Sequence, residues 1–470
     1  MNFLKKPFVL LFTLSSLFFV ACSEDDAPNG GDEGTPFVVA FETLSVNLSQ
    51  IENTQDVALV YSQTANQSGE ITISVNSVNA EYGTDFTTTP EITNNSLKLQ
   101  IGQGQNGNSF TFNKLNANLD ETVEITFTII AVDYPASSIQ GNTSLVLNSA
   151  PSLGRSYEPM VGGPNQPNQV YIDLSSENQV TARRDSWDLG FYAGDEFRVT
   201  LNGSIYMAAA ELESTNIDAV TEADVADLLG QVAVGTFDPA NEAFVDHPDG
   251  DITKTAISAI STNDADNKVY LVNLGYEVGT ETPEPGSVVV AGAARGYKKI
   301  RILRDGDNYV LQYANLNDTS HQEIIINKAE GYNFTHFSFN TNNVVSAEPE
   351  TANWDLVFTV FTNLIDGAGS YGFSDGVLHN RKGGVRSYQV STDTFVFDTF
   401  SLTDVNQGNF EVDQRAIGDN WRDVLERIIF DDRFFIVEDA NGNIYKLRFL
   451  ALVNTFGERG FPQFEYQLVQ

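Results

Sequence analysis

From Phe37 onward, short runs of alternating apolar and polar residues recur between turn-forming clusters. This two-residue period limits the fold more than any other feature of the chain. Ile71-Thr72-Ile73-Ser74-Val75 and Val123-Glu124-Ile125-Thr126-Phe127 each send every second side chain to one face, as a half-buried strand requires. Clusters such as residues 102–108 (GQGQNGN) separate the runs. Two hairpins stand out. Tyr297 to Arg304, the turn Asp305 to Asn308 and Tyr309 to Ala314 make one. Phe434 to Glu438, the favoured turn pair Asn441-Gly442 and Ile444 to Leu450 make the other. Helical signals are few. Thr221 as cap, Asp224, apolar Val225, Leu228 and Leu229, and the terminator Gly230 predict one helix; residues 419–425 predict a second. The basic run Lys298 to Arg304 reads as a charged sheet edge that discourages aggregation. The expectation is an all-β protein with a few short helices.

Nothing covalent can staple such a fold. Cys22 is the only cysteine, so stability must come from packing and strand pairing, for which 41% hydrophobic residues and 32 Phe are ample. Cys22 follows a basic head, Met1 to Lys6, and an uncharged run from Pro7 to Ala21 that is too short to span a bilayer. The Ala21-Cys22 junction resembles a bacterial lipoprotein processing site, with Phe19 where Leu is usual. Ser23-Glu24-Asp25-Asp26 resembles the acidic tag that sends lipoproteins of Bacteroidota to the outer face of the outer membrane. That resemblance implies a signal peptide over residues 1–21, lipidation at Cys22 and a lipid-anchored, outward-facing location. No later segment is long and apolar enough to cross a membrane, so the lipid is expected to be the sole membrane anchor. A net charge of −37 repels nucleic acid, which is therefore excluded as a partner.

Composition divides the rest. Residues 22–36, rich in Gly, Pro and acid, read as a flexible tether. Residues 37–150 carry the Thr, Val and Ile alternation of a small immunoglobulin-like β-sandwich. Residues 151–168 read as a Pro- and Gly-rich linker, and residues 169–470 as a larger antiparallel β domain. Within the sandwich, Glu52 after an alternating strand, the turn Glu81-Tyr82-Gly83-Thr84-Asp85-Phe86 and the stretch Leu119 to Glu124 resemble the Calx-β family. The resemblance implies calcium as a cofactor, held by carboxylates from Glu52, Asp85, Asp120 and Glu124. The bland alternative is that these acids cap turns and solvate the surface, since the denser acidic runs of strong binders are absent.

In the larger domain two segments repeat a pattern: Ser186-Trp187-Asp188-Leu189-Gly190-Phe191 and Asn353-Trp354-Asp355-Leu356-Val357-Phe358. Each reads as a core strand anchored by its indole, Trp187 or Trp354, with Asp188 or Asp355 holding a neighbouring loop. A catalytic carboxylate pair is the sharper alternative. Together with Val170 to Ser175, Phe197 to Gly203, Trp354 to Asn363, Gly376 to Asn380 and the final Tyr445 to Tyr466 hairpin, they resemble the HmuY-like haem-binding lipoproteins of Bacteroidota. That resemblance covers about residues 155–470 and implies an all-β fold, haem as the ligand, and either an outer-membrane haem receptor or a host haem protein as partner.

Haem iron takes His, Met, Cys or Tyr. Met207, just after the Phe197 to Gly203 motif, and His379, just after a family-like G-V-L segment, are the positions singled out. A Met in such a run is also a common core filler, and His379 beside Asn380, Arg381 and Lys382 also fits an exposed loop. His336 is placed opposite the phenylalanines of Phe334 to Phe339, facing solvent or a partner; His247 sits in an acidic loop, and His321 has no distinguishing context. No H-E-x-x-H or phosphate loop occurs and no thiol remains for catalysis, so the chain is expected to be a binder and not an enzyme. The alternative to haem is a glycan-, peptide- or protein-binding surface lipoprotein without an iron ligand.

Overall fold

The computed structural model describes residues 36–470 apart from 44, 49–50, 52, 118, 120–121, 141 and 149–151. Cys22, Glu52 and Asp120 therefore lie outside the described residues. The protein is all-β. None of the described residues is in an α-helix; the short helical turns are all of the tighter 3-10 type.

Ten strands between Phe37 and Asn148 form two five-stranded sheets packed face to face. One sheet is built around Thr54–Tyr61 and Gly107–Lys114, the other around Gly69–Val78 and Glu124–Asp133. The alternation does what it must: Ile71, Ile73, Ile125 and Phe127 go into the shared core with Phe110 and Phe112, while Thr72 and Thr126 stay partly exposed.

The rest of the chain folds around two further main cores. In the first, a sheet of Gly154–Tyr157, Arg459–Leu468, Ile444–Val453, Arg433–Glu438 and Arg386–Ser391 packs on a sheet containing Asn168–Ile172, Leu356–Ile365 and Gly369–His379. In the second, a sheet of Val199–Leu201, Leu189–Tyr192, Phe334–Ser338 and Asn343–Val345 packs on five strands that include Val269–Asn273, Tyr297–Asp305 and Asn308–Ala314. Trp421 closes the first core, stacked 4.2 Å from the Phe449 ring, with its indole N–H donating to the Asp375 carbonyl at 3.0 Å. We expect Trp421→Ala to cost about 3–5 kcal/mol in urea unfolding; a loss within about 0.5 kcal/mol, typical of a surface change, would contradict this packing.

Both hairpins form, the first with Asp305 opposite Asn308 and the second with Gly442 in the left-handed region at φ 84°. Four details depart from the sequence expectations. The segment Thr221 to Gly230 makes only the short 3-10 turn Glu222–Val225, capped reciprocally by Thr221 and Asp224, although Leu228 and Leu229 beyond it still pack on the core. Residues 419–425 hold the two-residue strand Arg422–Asp423, paired with Ile428–Ile429. The linker supplies Gly154–Tyr157, which pairs with Arg459–Leu468. Tyr297–Asp305 is a central strand, not an edge. Its buried Lys299 is satisfied by donating to the carbonyls of Val220 (2.6 Å) and Asp318 (2.7 Å), so the charge that suggested an edge is paired inside.

Candidate functional site

Strand alternation turns one face of each lobe toward the other. Val170, Ile172, Leu356 and Phe358 face the first core, so Gln169, Tyr171, Val357 and Thr359 project the opposite way. Likewise Leu189, Phe191 and Phe337 face the second core, and Phe334 and His336 project away from it. The two outward faces line one cavity of about 200 Å³, completed by Asn202 to Ser204, Met207, parts of residues 245–255 and residues 378–382.

Both repeat tryptophans are walls of this cavity. Trp187 meets the His336 ring edge-on at 4.5 Å, and its indole N–H donates to Gln169 Oε1 at 2.8 Å, joining the two sheets. Trp354 meets Tyr171 at 5.1 Å, and its indole nitrogen is buried with no hydrogen-bond partner among the described residues. The paired aspartates do not enter the cavity. Asp188 pairs with Arg295 at 2.5 Å and accepts from the Phe339 amide at 2.6 Å. Asp355 accepts from the Leu174 amide at 2.8 Å, and burial raises its pKa well above the usual carboxylate range.

Met207 and His379 reach the same cavity from different lobes. Met207 is 1% exposed and belongs to the second core, where the left-handed Tyr206 (φ 65°) turns the chain into the strand Ala208–Glu211. His379 ends the strand Gly369–His379 and is also 1% exposed. Its Nδ1 lies 2.9 Å from Ser387 Oγ, and the Val412 backbone is the ring's other polar neighbour, without a hydrogen bond of good geometry to the buried Nε2. Burial holds its pKa down at about 4, so the imidazole is neutral at neutral pH. His379 is therefore no exposed loop residue.

His336 was misplaced by the sequence. It shares its face with Phe334, whose ring lies 5.9 Å away, while Phe337 and Phe339 take the other face. It is 4% exposed inside the cavity wall, with its pKa pushed down to about 3 by burial. Counting the alternation from Phe334 would have found it. His247 stands at the cavity rim, 3.0 Å from Asp249 Oδ1. His321, 2.9 Å from Asp218, and the exposed Met160 lie elsewhere.

Sequence reasoning also missed the cavity's charged groups. Glu348 accepts from the Phe334 amide at 2.8 Å, and burial raises it to about 8. Asp246, raised by burial to about 6, accepts from the Leu201 and Ala256 amides. Arg381 donates to the Asp249 carbonyl at 2.9 Å and lies 3.5 Å from Asp251, tying residues 379–384 to the loop across the cavity. Two glycine spacings match enzyme patterns in the sequence, against the expectation that no such pattern occurs, but not in the structure. Gly372-Phe373-Ser374-Asp375-Gly376 lies within a strand, with Ser374 Oγ accepting from Arg459 at 2.7 Å, which is not a strand-to-helix elbow. Gly102 to Gly107 joins the strand Ser96–Ile101 of one sandwich sheet to Gly107–Lys114 of the other, and no helix follows.

In the sandwich, Asp85 accepts from the Glu81 amide and the Asn116 side chain, both at 2.8 Å, and these bonds lower its pKa. Glu124 lies exposed and accepts from Thr126 at 3.4 Å. Among the described residues, no group of three or more His, Cys, Asp or Glu side chains could hold a metal ion.

No curated protein matches the chain. Among solved structures, the Calx CBD1 domain in its apo form is 11% identical, with 24% of this chain and 97% of that one covered at a TM-score of 0.20. CBD12 from CALX1.2 is 10% identical, with 37% of this chain and 61% of that one covered, also at 0.20. The HmuY protein family matches residues 165–323 and 330–466, which take in both lobes and every wall of the cavity. The chain belongs to that family.

Proposed function

We propose that the protein is a non-enzymatic surface lipoprotein that binds haem in the cavity between the two lobes, with Met207 and His379 as the axial donors. Membership of the HmuY family supports a haem-binding role. The observation that carries the assignment is that Met207 and His379, brought from different lobes, both border one cavity walled by aromatic side chains. Haem iron accepts a thioether and a neutral imidazole together. Trp187, Phe334, Trp354, Phe361 and Leu378 provide the apolar walls that a macrocycle needs.

The cavity of about 200 Å³ is smaller than the roughly 300–1,000 Å³ of pockets for drug-sized ligands, so the walls must part to admit a porphyrin. The loop from Pro248 to Asp251 is held by Gln414 at the Pro248 carbonyl (2.9 Å), Arg381 at the Asp249 carbonyl (2.9 Å) and Lys382 at the Gly250 carbonyl (3.2 Å), and these bonds must break for it to move outward. Lipid at Cys22 would anchor the protein on the outer membrane, facing outward, ready to take haem from a host protein and pass it to a receptor.

Haemin titration followed by visible absorption tests this. A saturable one-to-one complex with sharp low-spin bands in both oxidation states is expected. A featureless spectrum that never saturates would contradict haem binding.

A further inference from the structure

Lys382 is a cation of the cavity wall with no direct ion pair among the described residues. Its Nζ donates to the Gly250 carbonyl at 3.2 Å and sits 5.1 Å over the Phe334 ring. It takes part in none of the ion pairs formed among the described residues, whereas its neighbours do: Asp249 is engaged by Lys254 at 2.7 Å and by Arg381 at 3.8 Å. Asp246 is occupied by two backbone amides. Glu348, the carboxyl with the largest influence on Lys382, is raised by burial to about 8 and is neutral at pH 7. Burial in turn pushes Lys382 down to about 8. Lys382 thus has carboxylates near it but no direct ion pair, and a ligand carboxylate can supply one.

We propose that Lys382 is the anion-recognising group of this cavity and that the cavity selects a ligand carrying a free carboxylate. The inference rests on the haem assignment and narrows it: a porphyrin is held through a side-chain carboxylate as well as through its iron. A ligand carboxylate against Nζ favours the protonated amine, so binding is strongest below about pH 8. As pH rises through that value Lys382 loses its proton and Glu348 gains charge. Both changes disfavour the anion, while Asp246 and Asp249 keep the charges they carry at pH 7.

Haemin and haemin dimethyl ester, titrated into the protein by Soret absorbance, test this. Wild type is expected to prefer the diacid by about tenfold or more, as a charge-assisted hydrogen bond allows. Lys382→Met is expected to lose that preference by weakening the diacid alone, and Lys382→Arg to keep it. Equal binding of diacid and ester by wild type would overturn the role of Lys382 and leave the haem assignment standing. Binding of neither would overturn both.

Discussion

Replacing His379 with alanine is expected to abolish the low-spin bands of the haemin complex and to weaken haemin binding by at least about tenfold. Even residues that only support metal ligands change affinity by roughly 10–100-fold, so a direct donor sets a larger floor. Met207→Ala is expected to convert the complex to a spectrum with one strong axial ligand. His321→Ala, whose imidazole sits against Asp218 away from the cavity, is expected to change neither spectrum nor affinity. Because His379 also contacts Ser387, the thermal melt of each apo variant must be recorded alongside. A folded His379→Ala protein that keeps the wild-type spectrum would remove this histidine from the iron. The pH dependence carries a sign as well. His379 titrates near 4, so its protonation does not compete with iron between pH 8 and pH 5, and the low-spin bands are lost only on approach to pH 4.

The second large effect concerns the fold that shapes the cavity. Asp188→Ala is expected to destabilise the protein by about 3–5 kcal/mol, because it leaves Arg295 buried without its partner. The Asp188 and Arg295 side chains are 1% and 6% exposed, and the carboxylate also satisfies the Phe339 amide. Asp188→Asn, which can still accept from that amide, is expected to fall between wild type and alanine in urea unfolding. If Asp188→Ala unfolded within about 0.5 kcal/mol of wild type, the aspartate would not be holding the Phe339 segment in place.

How far the sequence discloses this architecture depends on the physical level. The period-two runs disclose the strands because each strand buries one face, and turn pairs such as Asn441-Gly442 disclose hairpins because few residues tolerate those backbone angles. The Trp-Asp-Leu repeats disclose two anchors. Yet the indoles line the cavity while the leucines face separate cores, and that division depends on how the sheets face one another, which no local pattern encodes. Met207 and His379 are 172 positions apart and are joined only by tertiary packing; the family resemblance, and not residue chemistry, selected them. Lys382 and Glu348 were invisible for a different reason. In a chain with 63 acidic and 26 basic residues, a single Lys or Glu has no sequence mark that separates a cavity group from a solvated one. The failed helix at Thr221 shows the converse: its cap is real, but capping alone does not propagate a helix.

The most direct test of the central claim is a crystal structure of the protein with haemin bound. The macrocycle is expected between the face that carries Gln169, Tyr171 and Thr359 and the face that carries Phe334 and His336, with Met207 Sδ and His379 Nε2 on the iron and the Pro248 to Asp251 loop displaced outward. Haemin found on the outer surface, with the cavity closed and no bond from Met207 or His379 to the iron, would contradict it.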